Sequence, residues 1–427
     1  MRVLVRGGRL VDPAAGRDGR FDVLVEGGLV AAVAERIDPP AQCEVVEAEG
    51  LVVTPGLVDM HVHLREPGQE YKETIRTGTA AAAAGGFTAV ACMANTKPVN
   101  DERAVTEFIV SEAARHGFAR VHPVGAISKG LAGEELAEMG EMAAAGAVGF
   151  SDDGRPVVDT ELMRRALLYA QHFGCPLIQH AQDLHLSASG VMNEGEVATR
   201  LGLPGIPGLA EEVMVARDLL LLAETGGRYH VSHLSTARCL ELVREGKRRG
   251  LAVTCEASPH HLLLTDRAVA DTGFSTNVKM NPPLRSEADR QALLAGLADG
   301  TVDAIASDQA PHHADEKDLE FSAAPFGIVG LETTVSLGLD RLVHAGVIGL
   351  ARFVELLTAG PARILGIEAG TLAVGRPGDL TLLDLDREVT VDPTTFRSKG
   401  RNTPFAGWRL RGAPVGTILG GVPVRLP

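Results

Sequence analysis

Two histidines separated by a single residue stand in the segment 59–65, which reads DMHVHLR. If this segment is a β-strand, residues two apart point to the same face, so the imidazoles of His61 and His63 project together. Two imidazoles held in this way can chelate one metal ion. A lone histidine is more often a buried or solvated group than a ligand. Here the pairing, the spacing and the position at the end of an apolar run favour metal ligation.

Further residues that bind metal ions follow other apolar runs of the chain. Taken alone, an Asp before Gly is usually a turn residue, and an isolated His is often a hydrogen-bonded core group. Together with the histidine pair they supply four histidines and at least two aspartates, which is more than one ion needs. The pattern therefore predicts two divalent ions bridged by a carboxylate, with an open position for water. These further candidates are the Asp152-Asp153 pair, His180, His233 and Asp308.

The elements that must position these residues are short apolar runs alternating with Ala- and Leu-rich helical stretches. This alternation is typical of repeated β–α units and a parallel sheet. Helices are predicted between the runs, for example over 101–116, 160–173, 211–224 and 287–298. Eight units predict an α/β fold closed into a (β/α)8 barrel, in which the strand ends carry the chemistry. The predicted strands are 57–63, 88–93, 121–126, 148–151, 177–180, 229–233, 252–256 and 302–307.

Both ends of the chain have a different texture, with short strands separated by glycine-containing turns. Strands are predicted over 3–5, 21–25 and 45–47 near the start, and over 379–385 and 415–419 near the end. Two β-rich ends around a different middle predict one small domain assembled from both termini. The expected division is a β-sandwich of residues 1–53 and 368–427, and a barrel of residues 54–367.

Composition argues against several classes of function. A formal net charge of -14 opposes binding to nucleic acid, and an aromatic content of 4% opposes base stacking. The opening residues contain no long apolar run, so neither a signal peptide nor a membrane span is expected. The cysteines are odd in number and lack CxxC spacing, which indicates no disulfide framework and suits a reducing cytoplasm. They are Cys43, Cys92, Cys175, Cys239 and Cys255.

With its candidate ligands in this order, the chain resembles the amidohydrolase superfamily, and more closely the dihydroorotases that carry two zinc ions. The matching stretches run in the family's order across nearly the whole predicted barrel, and the β-rich ends match the family's accessory sandwich. They are VDMHVHLREPG at 58–68, MANTKP at 93–98, FSDDG at 150–154, KMNPPLR at 279–285, DQAPH at 308–312 and PFGIVGLET at 325–333.

The resemblance implies a metal role for six of these residues. One zinc ion would be held by His61, His63 and Asp308, the second by His180 and His233, and Asp153 would bridge both. The implied reaction is the reversible hydrolysis of dihydroorotate to N-carbamoyl-aspartate, a step of pyrimidine biosynthesis. Asp308 would accept the proton of the attacking water and deliver it to the departing ring nitrogen.

The resemblance also implies a binding site for a small anionic substrate. A guanidinium fork suits a carboxylate, and an Asn side chain can both donate and accept along the edge of an imide. The substrate carboxylate would be bound by Arg65, Asn95 and His312, and the ring amide groups by Asn281 and the backbone of Phe326 and Gly327. The charged loop 313–324 lies between two of these elements and is expected to close over the substrate.

Gln309 departs from the family's pattern, which usually has His at this position. An amide side chain can still hydrogen-bond to a metal ligand, so we expect altered metal properties and not loss of the metal. Most other histidines have no evident partner and are expected to be packed or solvated, whereas two that follow the seventh strand border the site. The first group is His116, His122, His172, His185, His230 and His344, and the second is His260 and His261.

Two alternatives remain open at the level of the sequence. A hydantoinase or allantoinase shares the barrel and the chemistry, but such relatives typically bridge their metals with a carboxylated lysine, and the fourth strand ends in Asp152 and Asp153 without a lysine. A non-catalytic subunit that only scaffolds aspartate transcarbamoylase is expected to have lost ligands, and none is missing here. A homodimer is expected, and association with a transcarbamoylase is left open. No nucleic-acid or membrane partner is expected.

Overall fold

The computed structural model describes residues 2–426. Its first seven strands belong to two sheets of an outer domain. In β1 the side chains of Val3, Leu4 and Val5 are all buried, and the strand forms the antiparallel partner of β4 and the parallel partner of β6. These strands are β1 (Arg2–Arg6), β2 (Arg9–Asp12), β3 (Arg17–Arg20), β4 (Asp22–Glu26), β5 (Leu29–Ala34), β6 (Glu44–Glu47) and β7 (Val52–Pro55).

The middle of the chain contributes an eight-stranded sheet whose neighbouring strands are all parallel. Two further short strands, β13 (Met192–Asn193) and β14 (Gly205–Ile206), pair only with each other. The eight strands are β8 (Leu57–Val62), β9 (Phe87–Cys92), β10 (Arg120–Gly125), β11 (Gly149–Phe150), β12 (Leu177–Gln179), β15 (Tyr229–Val231), β16 (Val253–Ala257) and β17 (Ala304–Ile305).

The sheet closes between its first and last strands. Val62 forms a parallel bridge with Gln309, and the His63 amide donates to the Gln309 carbonyl at 2.9 Å. Two residues before Gln309, the amide of Ser307 donates to the buried Asp59 carboxylate at 3.2 Å. The predicted (β/α)8 barrel is therefore confirmed, with all eight predicted strands present.

Helices follow most of the barrel strands. They are α1 (Ile75–Ala84), α2 (Arg103–His116), α3 (Met139–Ala144), α4 (Thr160–Ala170), α5 (Leu184–Ser187), α6 (Glu196–Leu201), α7 (Leu209–Thr225), α8 (Ala237–Arg248), α9 (Pro259–Leu263), α10 (Arg267–Asp271), α11 (Glu287–Asp299), α12 (Ala314–Lys317), α13 (Thr334–Gly338), α14 (Leu350–Leu357) and α15 (Ala359–Leu365). Within residues 2–426 there is no helix with both the length and the apolar character that a membrane span requires.

The chain returns to the outer domain through β18 (Leu380–Thr390), β19 (Arg409–Leu419) and β20 (Val422–Pro423). β18 pairs with β7, which in turn pairs with β2, so one six-stranded sheet contains strands from both termini. The outer domain assembled from the two ends is thereby confirmed. The division of the chain at residues 53 and 368 stays a prediction.

The segment 398–402, between β18 and β19, reaches the mouth of the barrel. Asn402 accepts a hydrogen bond from the amide of His312 at 3.2 Å and donates to the carbonyls of Ala310 and Gly327 at 3.0 and 3.1 Å. Ser398 accepts a hydrogen bond from Gln309 at 3.1 Å. The outer domain is therefore tied to loops that carry predicted site residues.

Alternation along the barrel strands separates the packing face from the chemical face. In β15, Tyr229 is fully buried and its hydroxyl donates to Asp218 of α7 at 2.8 Å, so it packs outward against the helices. The next residue, His230, points the other way and lies 3.3 Å from Glu256 of β16. Adjacent residues of β15 therefore place an aromatic ring against the helices and an imidazole inside the barrel.

We expect Tyr229→Phe to destabilise the protein by about 1–3 kcal/mol, because a buried carboxylate loses a hydrogen-bond donor while the packing of the ring stays the same. The measurement is the shift of the urea unfolding midpoint. Tyr169→Phe is the matched control, since that side chain is 40% exposed. Equal midpoints for the two variants would show that the Tyr229 hydroxyl contributes nothing.

Candidate metal centre

Six side chains that the sequence predicted as metal ligands lie in or directly after barrel strands and meet inside the barrel mouth. Each is at least nine-tenths buried. They are His61 in β8, His63 after β8, Asp153 after β11, His180 after β12, His233 after β15 and Asp308 after β17. Because the carboxyl ends of parallel strands share one end of the barrel, these strands bring distant parts of the sequence into one volume.

The two histidines of the first strand face both aspartates. His61 Nε2 lies 3.3 Å from Asp153 Oδ1 and 3.6 Å from Asp308 Oδ1. His63 Nε2 lies 3.4 Å from Asp153 Oδ2 and 3.3 Å from Asp308 Oδ1. The two carboxylates thus lie across from the same pair of imidazoles.

The other two histidines also lie close to Asp153. His180 Nδ1 and His233 Nε2 lie 3.0 Å apart, at 3.8 and 3.5 Å from Asp153 Oδ1. One oxygen of Asp153 therefore faces His61, His180 and His233, and its other oxygen faces His63. This central position is the one that a bridging carboxylate requires.

These separations suit metal ions. Ligand atoms bound to zinc at about 2.0–2.1 Å in a tetrahedron lie about 3.3 Å from one another. Two groups of three ligand atoms lie within 4.8 Å of one another, one of His61, His63 and Asp308 and one of His61, Asp153 and His233. His61 Nε2 and Asp153 Oδ1 are buried and have no hydrogen-bond partner among the described residues. Buried polar atoms of this kind require a partner, and a cation between them would supply it.

The electrostatics of the cluster also favour a cation. Burial opposes the ionised form of Asp153, yet His61, His233 and His63 together lower the pKa of its carboxyl well below the ordinary value. Burial likewise opposes a charged His61, but Asp153 and Glu256 raise the pKa of this imidazole well above its ordinary value. The site therefore favours a positive charge at His61 Nε2, and a metal ion can take the place of that proton.

Glu256 of β16 orients His61 and was not predicted from the sequence. Its Oε1 lies 2.7 Å from His61 Nδ1 and accepts the amide of His233 at 3.3 Å. Despite complete burial, the neighbouring His61 and His230 lower the pKa of Glu256 to about 2. An ionised carboxylate can only accept, so Nδ1 of His61 carries a proton and Nε2 is free for a metal. The feature of the sequence that could have indicated this role is a lone glutamate within a buried strand.

His230 completes this network, so the prediction that it lacks a partner is wrong. Its Nδ1 lies 2.8 Å from Thr254 Oγ1 and its Nε2 lies 3.3 Å from Glu256 Oε2. The predictions for most of the other histidines of that group agree with the structure. His116, His172, His185 and His344 are exposed.

His260 and His261 are buried beside the metal cluster, with ring centroids 4.3 Å apart. His261 Nε2 lies 2.9 Å from the Pro282 carbonyl. Burial lowers the pKa of His260 to about 4, so this imidazole is neutral at physiological pH. Neither ring lines the cavity next to the cluster. The pair borders the site without facing the space that a substrate would occupy.

Gln182 orients a second imidazole and was also not predicted. Its Oε1 lies 2.8 Å from His180 Nε2 and accepts from Asn281 Nδ2 at 2.6 Å. The Gln182 oxygen only accepts and is nearer to Nε2 than the Asn281 Nδ2 donor at 3.2 Å, so we assign the His180 proton to Nε2, which leaves Nδ1 free toward Asp153. Gln182 therefore links a predicted metal ligand to a predicted substrate-binding residue.

The two aspartates that follow the fourth barrel strand, of which the family resemblance implied only Asp153 as a ligand, have two distinct roles. Asp152 accepts the backbone amides of Ile127 and Ser128 at 2.7 and 2.9 Å, and it also accepts the Ser128 hydroxyl. Its carboxylate therefore holds the loop after β10 and faces away from the cluster. Asp153 alone faces the histidines.

Gln309 does not contact any proposed metal ligand through its side chain. Its Oε1 accepts the amides of Gly330 and Leu331 at 2.8 and 3.0 Å, and its Nε2 donates to Ser398. The expectation that this side chain hydrogen-bonds to a metal ligand is wrong. Gln309 instead joins the barrel to the returning C-terminal segment.

A cavity of about 220 Å³ opens beside the cluster, and every residue predicted to bind substrate lines it. Arg65 is only 9% exposed, and its Nε donates to the Pro311 carbonyl at 3.3 Å. The two terminal nitrogens of its guanidinium have no hydrogen-bond partner among residues 2–426. The lining residues are His63, Arg65, Asn95, Asp153, Gly154, His180, His233, Asn281, Asp308, Ala310, His312, Phe326 and Gly327.

Several of the predicted substrate contacts already have protein partners. Asn95 Oδ1 lies 2.8 Å from His63 Nδ1, so Asn95 orients a proposed metal ligand, and its Nδ2 donates one hydrogen bond to the Asp153 carbonyl at 3.4 Å. His312 Nε2 donates to the Phe326 carbonyl at 2.8 Å, and the Gly327 amide donates to the Lys279 carbonyl at 2.9 Å. Of the groups in the Phe326–Gly327 backbone, the Phe326 amide is the one without a described partner.

The backbone is strained at three of these positions. Arg65, His233 and Asp308 have φ values of 62°, 32° and 50°, in the left-handed region that non-glycine residues rarely adopt. Such conformations cost about 1–3 kcal/mol each and cluster at functional sites. They aim each of these side chains into the cavity from the end of its strand.

Solved structures with the same architecture are hydrolases of cyclic amides. An L-hydantoinase (dihydropyrimidinase) from Arthrobacter aurescens has a TM-score of 0.88 and 28% sequence identity, covering 99% of this chain and 95% of that one. A D-hydantoinase with 23% identity and a TM-score of 0.85 shares the fold. The barrel and its cluster of imidazoles and carboxylates thus define a hydrolase of the amidohydrolase fold that acts on cyclic amides.

Sequence comparison gives the family. A family profile described as Dihydro-orotase-like matches residues 50–239. The dihydroorotase of Anaeromyxobacter dehalogenans (strain 2CP-C) is 59% identical over 419 residues, covering 98% of this chain and 96% of the relative. That of Pelotomaculum thermopropionicum is 55% identical over 421 residues, covering 99% and 98%. The chain belongs to the dihydroorotase family.

We expect Glu256→Gln to weaken metal binding by about 10–100-fold, because His61 loses the acceptor that fixes its proton and ring orientation. The measurement is the metal content of the protein after dialysis against a buffered concentration of free zinc. Glu241→Gln is the matched control, since that side chain is 58% exposed on α8. A Glu256→Gln protein that retains metal like the control would refute this role.

Proposed function

We propose that this chain catalyses the reversible hydrolysis of dihydroorotate to N-carbamoyl-aspartate, the ring-closing step of pyrimidine biosynthesis, with two zinc ions. The observation that carries the proposal is the Arg65 guanidinium, which lies in the same cavity as the metal cluster with both terminal nitrogens unpartnered among residues 2–426. A carboxylate-bearing cyclic amide is the ligand class that such a site suits. The relatives named dihydroorotase agree with this choice.

The residues present fit a binuclear zinc centre. Imidazole nitrogens and carboxylate oxygens are ligands that zinc prefers. We assign His61, His63 and Asp308 to one ion, His180 and His233 to the other, and Asp153 to both, on the distances given above. When bound, the ions lower the pKa of a water molecule and polarise the carbonyl that is attacked.

Asp308 would move the proton in the reaction. Burial opposes its charge, but His63, His61 and His233 lower the pKa of its carboxyl below the ordinary value, so it is ionised before reaction. It can accept the proton of the attacking water as the new C–O bond forms. When the C–N bond breaks, it returns this proton to the ring nitrogen, which leaves the carboxylate ready for another turnover. Ring closure uses the same steps in reverse.

Substrate orientation would come from the cavity walls. Arg65 would bind the substrate carboxylate in a forked arrangement, with His312 and the Nδ2 of Asn95 beside it. Asn281 and the Phe326–Gly327 backbone would face the ring amide groups. Because His312 is engaged with the Phe326 carbonyl, binding through its Nε2 requires exchange of that hydrogen bond for one to the substrate.

Neither alternative function is favoured by the cluster. Among the described residues no lysine lines the cavity, so a carboxylated lysine has no candidate there. All six proposed ligands are present, which speaks against a subunit that only scaffolds a partner. Both points support catalysis on a substrate that carries a carboxylate.

A homodimer in the cytoplasm is part of the proposal, and association with aspartate transcarbamoylase stays a prediction. The five cysteines are free, and four of them are buried, which suits a reducing compartment. Large apolar side chains are exposed on neighbouring helices and suit a contact between subunits. They include Leu168 and Tyr169 of α4, Leu184 of α5, and Leu209 and Leu220 of α7.

We expect Asp308→Asn to lower turnover of dihydroorotate by about 10²–10⁴-fold, because the amide cannot accept the proton. Zinc content should fall much less, since four histidines and Asp153 remain. Asp271→Asn, an exposed acid at the end of α10, is the matched control. The paired measurement is steady-state turnover and zinc per chain on the same preparation. Near-normal activity of Asp308→Asn would remove the proposed proton carrier.

Arg65 is tested best with two substrates that differ only in the carboxylate. Dihydrouracil has the ring of dihydroorotate without that group, and we expect wild-type kcat/KM to be at least about 100-fold lower for it. Arg65→Met should lower kcat/KM for dihydroorotate by about 100-fold and leave dihydrouracil within about threefold, because only the first substrate loses a contact. Arg200→Met, at an exposed position, is the control.

Equal losses on the two substrates would contradict carboxylate binding by Arg65. A wild-type preference for hydantoin or allantoin over dihydroorotate would favour the hydantoinase or allantoinase reading. Stoichiometric zinc without turnover of any of the four compounds would favour the scaffolding subunit.

A further inference from the structure

The turn 325–327 forms one wall of the proposed substrate cavity. Phe326 and Gly327 line it, and Gly327 has a φ of 124°. A Cβ at this glycine would lie 2.8 Å from Ala310 Cβ and 3.1 Å from His312 Nε2. The wall is therefore packed closely against the loop that carries His312, and a small displacement would change the shape of the cavity.

Lys279 lies in the loop after β16 and contacts the segment 322–327, which includes this turn. Its Nζ donates to the carbonyls of Ser322 and Ala324 at 3.0 and 2.6 Å, and lies 4.7 Å from the centroid of the Phe326 ring. Its own carbonyl accepts the Gly327 amide at 2.9 Å. A single residue thus fixes the segment through an ammonium group, an aromatic contact and a backbone hydrogen bond.

Lys317 holds the same segment from the other side. It is the last residue of α12, and its Nζ donates to the carbonyls of Pro325 and Gly327 at 2.9 Å each. Asn402 donates to the Gly327 carbonyl as well, at 3.1 Å. Four carbonyls within six residues are therefore directed at two ammonium groups.

Both ammonium groups are buried without a carboxylate partner. Lys279 is 3% exposed and Lys317 is 9% exposed, and among residues 2–426 neither forms an ion pair. Glu316, the acid next to Lys317, pairs with Lys72 at 2.9 Å instead. Burial lowers the pKa of Lys317 to about 7 and that of Lys279 to about 8. Burying two ammonium groups that only backbone carbonyls and an aromatic ring stabilise is costly, which indicates a role beyond surface solvation.

We propose that Lys279 and Lys317 are positioning residues that hold the turn 325–327 against His312 before substrate arrives, acting through backbone carbonyls. The proposal rests on the proposed function, because it assigns that turn to the substrate wall. It also bears on the conformation of the loop 313–324, which is expected to close over the substrate. In this structure four hydrogen bonds from the two ammonium groups hold the carbonyls of residues 322–327, and any movement of this part of the segment away from the cavity requires breaking them.

The test uses Lys279→Met and Lys317→Met in the full-length, zinc-loaded protein. Methionine retains an unbranched apolar chain and removes only the donors. Lys247→Met is the control for loss of an ammonium group away from the cavity, because Lys247 is half-buried and donates to the Thr301 carbonyl and to Asp303, each at 2.7 Å. The first readout is hydrogen–deuterium exchange of peptides within 318–327 without substrate, and the second is KM, kcat and zinc content with dihydroorotate.

We expect exchange within 318–327 to be at least about tenfold faster in both variants, with the rest of the barrel unchanged, since local opening no longer breaks ammonium bonds. KM for dihydroorotate should rise about tenfold while kcat and zinc content stay within about threefold, because the wall acts in binding. Lys→Arg at each position should restore part of the protection, since a guanidinium can donate to two carbonyls.

Unchanged exchange in both Met variants would overturn the proposal, and so would a wild-type segment 318–327 that exchanges like an unfolded chain. If the Met variants fail to fold, the wild-type exchange and the Arg variants decide the matter. Absence of dihydroorotate turnover in the wild-type protein would instead remove the proposed function. The exchange measurement keeps its meaning in that case, because it uses no substrate.

Discussion

A buried, ionised carboxylate surrounded by four imidazoles is the constraint on which the rest of the site depends. Asp153 is 4% exposed and lies 3.3–3.8 Å from nitrogen atoms of His61, His63, His180 and His233. A charge so far from water is stable only if positive charge lies close to it. Divalent ions between these groups would supply that charge, and the barrel supplies the geometry by ending separate strands around one point.

The imidazoles also need fixed protons if their lone pairs are to face the same volume. Three side chains fix these protons by contacting the ring nitrogen that points away from the cluster. Glu256 contacts His61, Gln182 contacts His180 and Asn95 contacts His63. The same Gln182 contacts Asn281, and Asn95 also lines the cavity, so the groups that orient metal ligands are shared with those that face substrate. Under the proposed function, these shared residues would couple metal binding to substrate binding.

The sequence was sufficient for the barrel, for the outer domain and for the convergence of the six proposed ligands, because strand periodicity and the position of strand ends are local properties. The strand pattern alone could not separate Asp152 from Asp153, since both follow the same strand and a single turn decides which carboxylate faces inward, and it was the family resemblance that implied Asp153. Glu256 was missed because its role depends on a neighbour 195 residues away. Gln309 was misjudged because the side chain faces the returning C-terminal segment, which no local pattern reveals.

The central claim is that six side chains hold two metal ions with Asp153 between them. A crystal structure of the zinc-loaded protein, with data collected at the zinc absorption edge, tests it most directly. The account predicts two anomalous peaks inside the barrel mouth, with Asp153 within bonding distance of both and two or three of the other ligands around each. A single peak without Asp153 as a ligand, or no peak among these residues, would contradict it.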